Sequence, residues 1–219
     1  MTADAVRAVL FDLDGTLADT ARDLGGALNR LLVEEGRTAL PLAQVRPHVS
    51  GGARALIRCG FGLVPEDPGY EALRQRFLDQ YSSAICVDTV LFDGVAHLLD
   101  GLEQRGIAWG VVTNKSERFA ASVIAALGLS DRCNCLVGGD TAPRPKPAPD
   151  PLLLACERIG VAPASTLYVG DDLRDVQAGK AAGAGTVAVA WGYLGDDLPI
   201  DQWQADWIIE TPPDLFRLL

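Results

Sequence analysis

Two aspartates stand two positions apart in the run Asp12-Leu13-Asp14-Gly15-Thr16, directly after the apolar stretch Ala8-Val9-Leu10-Phe11. At the point where a buried strand gives way to a loop, such a pair suits phosphoryl transfer. One carboxylate attacks while a metal and fixed donors neutralise the oxygens of the group under attack, and the other handles the proton of the leaving group. Asp12 is the candidate nucleophile and Asp14 the candidate acid/base. A strand running into an Asp-Gly turn would also produce the pentapeptide, so the rest of the chain has to decide.

Three further sites fall where apolar runs end. Thr113-Asn114 follows Val111-Val112 and precedes a helix start near Ser116. A hydroxyl and helix-start amides there suit a phosphoryl oxygen, and simple capping suits them too. Lys146 sits in Lys146-Pro147-Ala148-Pro149, a proline-restrained loop that would hold an ammonium against the charge of the nucleophile and the transferring group. Gly170-Asp171-Asp172-Leu173-Arg174-Asp175 follows Leu167-Tyr168-Val169. Carboxylates crowded there repel one another unless a hard cation such as Mg²⁺ sits among them, although acidic residues also favour a helix start.

The elements that must position these residues are legible from hydrophobic runs. Strands are predicted at Val6–Phe11, Ile107–Val112, Cys135–Val137, Thr166–Val169 and Thr186–Ala190, separated by helix-like segments. That alternation predicts a doubly wound α/β fold with a parallel sheet, which places ligands at the carboxyl ends of its strands. Asp150-Pro151 reads as an N-cap with proline at the first helical position, and Gly106, Gly128 and Gly160 read as helix stops. Residues 17–92 are too long for an ordinary connection. Leu24, Leu28, Leu31 and Leu32, and then Leu73, Phe77, Leu78 and Tyr81, recur at helical spacing there. The expected organisation is a core of residues 1–16 and 93–219 with a helical cap, residues 17–92, inserted in it.

Composition narrows the partners. With 219 residues and a net charge of −10, the chain repels nucleic acid and anionic membranes, and an anionic substrate would need a local positive pocket. Five scattered cysteines lack metal or redox spacing and read as reduced thiols. No apolar run approaches the roughly eighteen residues of a membrane span, and the N-terminus has no signal-peptide pattern. The expectation is a cytoplasmic protein that acts on a small-molecule phosphate ester, with no nucleic-acid, membrane or obligate protein partner.

The four segments DLDGT, VVTN, KPAP and GDDLRD, in this order, resemble the motifs of the haloacid dehalogenase-like phosphohydrolases, and the resemblance covers the whole chain. It implies an aspartyl phosphate on Asp12, proton transfer by Asp14, and phosphoryl contacts from Thr113 and Lys146. It further implies Mg²⁺ held by Asp12, the carbonyl of Asp14, and Asp171, with Asp172 or Asp175 orienting metal-bound water. Asp14 favours phosphate esters over carbon–halogen bonds. A sugar-phosphate mutase uses the same site, and a catalytically idle binding module would be expected to have lost a motif.

The cap and linkers look like the phosphoglycolate phosphatase group. Ser50-Gly51-Gly52-Ala53, Leu91-Phe92-Asp93-Gly94 and Trp109 to Lys115 look closer to its N-acetylmuramic acid 6-phosphate phosphatase branch. In that reading Gly51, Gly52, Arg54 and Asn114 bind substrate, with Arg54 pairing with a carboxylate. His48, Arg118 and Trp191 have no assigned role, and His97 is expected to be structural. Cap movement is expected to hinge near Thr16–Thr20 and Val87–Gly94.

Overall fold

A computed structural model describes residues 6–195 and 198–219. Its sheet has six parallel strands in the order β5-β4-β1-β6-β7-β8. They are β1 (Ala8–Phe11), β4 (Ala108–Val112), β5 (Leu136–Val137), β6 (Thr166–Gly170), β7 (Gly185–Val189) and β8 (Trp207–Ile209). The five predicted strands are all present, with ends shifted by a residue or two. β8 was missed because Trp207-Ile208-Ile209 is short and two of its three side chains are exposed, so it lacks the long apolar run of a central strand.

The period-two alternation of strand side chains divides the core into two layers. Val9 and Phe11 face Leu98, Leu99 and Leu102 of α5 (Val95–Gln104) and Val123 and Ile124 of α6 (Glu117–Ala126). Leu10, Val112 and Tyr168 face the other way, onto Leu152 and Ala155 of α7 (Asp150–Ile159) and Ala178 of α8 (Leu173–Ala182). Helices on both faces explain why β1 is buried at every position. One helix start is corrected. Asp150 is the first residue of α7, Pro149 is its cap, and Pro151 is second. The Asp150 carboxylate pairs with Arg144 in place of capping a backbone amide. Gly160, by contrast, ends α7 in the left-handed conformation, as read from the sequence.

The long interval is helical: α1 (Ala21–Glu34), α2 (Leu42–Val45), a 3₁₀ helix at Arg46–Gly51, α3 (Gly52–Phe61) and α4 (Tyr70–Ser82). These elements share a separate apolar cluster that includes Leu28, Leu31, Leu32, Leu56, Ile57, Phe77 and Tyr81. These elements all lie within the proposed cap segment, residues 17–92. Phe119 and Tyr193 of the core also pack into this cluster.

The two connections between cap and core are tied together. β2 (Ala18–Asp19) pairs antiparallel with β3 (Val90–Leu91). Beside this ribbon, the buried carboxylate of Asp23 accepts from the amides of Val87 (3.0 Å), Asp88 (3.1 Å) and Thr89 (2.8 Å), and from the Thr89 hydroxyl (2.6 Å). The pairing was not legible beforehand because two-residue strands show no periodicity.

Candidate active site

The chain runs outward from β1 to β4 and β5, then crosses back to β6, so the strand order reverses between β1 and β6. A crevice opens at such a switch point beyond the strand ends. Asp12 follows β1, while Asp171 and Asp175 follow β6. All three are buried, and ligand oxygens from each lie within 4.8 Å of one another.

Small residues make this crowding sterically feasible. At Gly15 (φ +90°) a Cβ would lie 2.1 Å from Asp171 Oδ2, and at Gly170 it would lie 2.2 Å from Asp175 Oδ2. Larger residues there would push the carboxylates apart.

Lys146 supplies the counter-charge. Its side chain is 3% exposed and its Nζ lies 2.6 Å from Asp175 Oδ1 and 3.0 Å from Asp12 Oδ1. It also donates to Tyr168 Oη (2.8 Å), whose own proton goes to the Val112 carbonyl (2.8 Å). Burial disfavours the ammonium, but the fields of Asp12 and Asp175 outweigh that cost and raise its pKa. The prolines and Asn114 hold the lysine loop. Asn114 Oδ1 accepts from Lys146 N (2.9 Å) and its Nδ2 donates to Lys146 O (3.0 Å). Asn114, read from the sequence as a substrate contact, therefore braces Lys146, although it still lines the cavity.

Charge balance remains incomplete. Burial, then Asp12 and Asp175, push the Asp171 carboxyl pKa well up. Burial raises that of Asp175, with Lys146 pulling it back only in part. Asp171 accepts from Thr16 Oγ1 (2.8 Å), Tyr193 N (2.9 Å) and, from the cap, Ser50 Oγ (3.1 Å). Asp12 Oδ1 is buried with no hydrogen bond, the Lys146 ammonium being near it but poorly aligned. An orphaned carboxylate oxygen amid three raised or clustered acids fits a hard divalent cation. The Asp172 carboxylate turns elsewhere. It caps α8 through Arg174 N (2.8 Å) and pairs with the Arg174 guanidinium (2.6 Å), while Asp175 occupies the acidic cluster.

The Asp14 side chain is separate from that cluster. It accepts from Thr20 Oγ1 (2.6 Å) and from Lys115 Nζ (2.9 and 3.0 Å). Thr113 is buried at the end of β4, and its Oγ1 accepts from Lys115 N (3.2 Å), leaving the hydroxyl proton available to the cavity. The first amide of α6 is occupied, because Glu117 N donates to Asp140 Oδ1 (2.8 Å).

A cavity of about 430 Å³ runs from Asp12 and Lys146 to the cap residues Gly51, Gly52, Arg54, Tyr70 and Arg74. The cap is seated on the core, since the Arg174 guanidinium donates to Ser50 O (2.9 Å) while the Ser50 hydroxyl reaches Asp171. Lys115, Ser50, Arg174 and Arg74 were given no role by the sequence reading. Of these only Lys115 carried a usable signal, a lysine in the loop where an apolar strand ends. Trp191 Nε1 donates to Thr16 O (3.0 Å), bracing the nucleophile loop. His97 packs edge-on against Phe216, Arg118 lies over Phe119, and His48 lines a neighbouring cleft.

Fold and crevice define the class as a doubly wound α/β protein with clustered acids at the switch point and a helical cap closing over them. The sequence pattern of the haloacid dehalogenase-like hydrolases matches residues 9–189. The chain belongs to that family. It is 49% identical over 212 residues to a phosphoglycolate phosphatase of Xanthomonas campestris pv. campestris, covering 96% of this chain and 95% of the relative. It is 43% identical over 214 residues to an N-acetylmuramic acid 6-phosphate phosphatase of Pseudomonas putida, covering 98% and 96%. A crystal structure described as a predicted phosphoglycolate phosphatase from Haemophilus somnus superposes with a TM-score of 0.86 at 26% identity, covering 97% of each chain. The chain is a phosphomonoester hydrolase. No described helix is long and apolar enough to cross a membrane.

Proposed function

We propose that this phosphatase uses Mg²⁺ and an aspartyl-phosphate intermediate to hydrolyse a carboxylate-bearing sugar phosphate, N-acetylmuramic acid 6-phosphate. The cavity carries the substrate choice. Its 430 Å³ exceed what a two-carbon phosphate ester fills, and its walls combine charged and apolar residues. They carry charge at Asp12, Asp14, Lys115 and Lys146, apolar surface at Leu24, Val49, Phe77 and Phe119, and a second set of cationic groups at Arg54 and Arg74 of the cap. A phosphorylated hexose with a lactyl carboxylate offers one anion to each set of cationic groups. Pockets that fit their ligands bury most of the ligand surface, which a two-carbon acid leaves undone.

In the first half-reaction an Asp12 oxygen bonds to phosphorus as the ester P–O bond breaks. The leaving oxygen keeps the bonding pair and takes a proton from Asp14. In the second, a water oxygen bonds to phosphorus, the aspartyl P–O pair returns to Asp12, and the proton of the water passes to Asp14. Lys146 and Thr113 hold the phosphoryl oxygens throughout, so that the residues act mainly by position and charge. Asp12, Asp171, Asp175 and the Asp14 carbonyl would hold the cation, which when bound neutralises charge on the phosphoryl group. Asp172, tied to Arg174, orders the start of α8 and hence Asp175. Arg54, Gly51 and Gly52 line the cap side of the substrate seat.

The same site would serve 2-phosphoglycolate, the substrate in the name of the Xanthomonas relative. The test is phosphate release with Mg²⁺, comparing kcat/KM for N-acetylmuramic acid 6-phosphate, 2-phosphoglycolate and a hexose 6-phosphate without the lactyl group. Preference for the first supports the proposal. Preference for phosphoglycolate overturns the substrate assignment.

A further inference from the structure

Cap helix α4 turns one face to the cavity. Tyr70, Arg74, Phe77, Leu78 and Tyr81 recur at spacings of three and four, so they share that face, and all five line the cavity. One end of the stripe is anchored at the crevice. The Lys115 ammonium lies 4.7 Å from the Tyr81 ring centroid and 2.9 Å from Asp14 Oδ1. With a rise of about 1.5 Å per residue, Arg74 and Tyr70 stand about 10 and 16 Å further along the helix. Phe77 and Leu78 fill the interval with apolar surface. On α4, then, the cavity wall runs from the crevice through an apolar stretch to a polar end.

Two helices build that polar end. Tyr70 is 5% exposed, with its ring held in the apolar cluster of the cap, and its hydroxyl donates to no described residue. Burial pushes its phenol up from the ordinary value, so the proton stays on and the hydroxyl remains a donor. The charges of Arg74 and Arg54 pull against that shift, while Glu71 and Glu66 add to it. Arg74 gives one nitrogen to Glu71 (2.7 Å), and Arg54 of α3 faces the same cavity. Phenol and guanidinium groups together offer several donors to one small region, which suits a carboxylate.

We propose that Tyr70 and Arg74 are specificity-determining residues: with Arg54 they form a clamp for the substrate carboxylate at the end of the α4 stripe remote from the crevice. The inference rests on the substrate reading above and adds the residues that enforce it. The separation of the clamp from the crevice selects an acid carried across a sugar ring, because the carboxylate of a two-carbon ester stays beside its own phosphate. Phe77 and Leu78 border the stretch that the ring occupies.

The test compares kcat/KM, with Mg²⁺ present, for three esters: N-acetylmuramic acid 6-phosphate, N-acetylglucosamine 6-phosphate, which lacks the lactyl carboxylate, and 2-phosphoglycolate, whose carboxylate is too close to its phosphate to reach the clamp. Tyr70→Phe keeps the buried ring and removes only the hydroxyl, and Arg74→Gln changes a side chain that is 40% exposed, so both variants retain the fold. Each is expected to lower the value for the muramic ester about tenfold, as for loss of one hydrogen bond to a charged group, and to change the other two less than about twofold. Equal losses on all three esters, or an undiminished preference for the muramic ester in both variants, would overturn the clamp and leave the substrate assignment standing. A wild-type protein that does not prefer the muramic ester to N-acetylglucosamine 6-phosphate would overturn both.

Discussion

Replacing Asp23 by alanine removes an acceptor that four donors share at the cap–core connections. The donors are not equivalent. Val87 is 73% exposed, so its amide regains a hydrogen bond from water, and Asp88 beside it is exposed too, whereas Thr89 is 6% exposed and its amide and hydroxyl do not. An orphaned buried donor costs about 1–3 kcal/mol, and the hydroxyl can rotate to offset part of its share, so the loss is about 3 kcal/mol. For a domain of this size that corresponds to roughly 6–12 °C in Tm. Asp23→Asn keeps one acceptor oxygen and should lose about half as much. Urea unfolding gives the free energy, and amide exchange locates it, with the amides of residues 87–89 losing protection before the sheet does. A loss below about 1 kcal/mol with the Thr89 amide still protected would refute the assignment of Asp23 as the clasp of the two connections.

Other expectations follow from the crevice. Asp12→Asn should lower phosphate release by at least about 10³-fold while leaving the circular dichroism spectrum unchanged; residual turnover with deamidation excluded by mass spectrometry would remove Asp12 from the nucleophile role. The Asp171 and Asp175 pKa values are raised in the fold, from 3.8 to about 8 and about 7, so the native state holds protons that the unfolded chain releases. Their contribution is therefore fully present at low pH and lost as pH rises through that window. In EDTA, Tm should fall between pH 5 and 8, and saturating Mg²⁺ should flatten the slope by stabilising the ionised acids; a pH-independent Tm in EDTA would count against the buried acidic cluster. Gly15→Ala forces a Cβ to within 2.1 Å of Asp171 at φ +90°, and should weaken Mg²⁺ binding measured by calorimetry at least tenfold. Unchanged affinity would mean that the loop yields freely.

Residues that the backbone presents directly were the ones a reader of the sequence could find. Asp12, Thr113 and Asp171 sit where apolar strands end, and the strand signal itself points at them. Asp175 and Asp172 lie five positions or fewer beyond the same strand, and their division of labour depends on side-chain direction. Arg174 draws Asp172 outward while the helix turns Asp175 inward, and spacing alone does not encode that. The brace made by Asn114 was not legible for a similar reason, because its amide pairs with a backbone segment that lies thirty-two positions later in the chain. Contacts between cap and core, such as Ser50 with Asp171, depend on how two units dock, and hydrophobic periodicity within either unit is silent about it.

Tyr193 belongs to the core loop after β7, yet its ring packs into the apolar cluster of the cap. Its hydroxyl accepts from Thr20 N (2.8 Å) and donates to Asp19 Oδ1 (3.1 Å), and the Arg46 guanidinium lies 4.9 Å from its ring centroid. The inserted segment is thus contiguous in sequence but not self-contained as a module. A chimera that transplanted residues 17–92 onto the core of another family member would leave a hole where this ring sits and strand Arg46 without its aromatic neighbour. Exchanging substrate preference between relatives by cap grafting therefore requires carrying the loop around Tyr193 along with the helices.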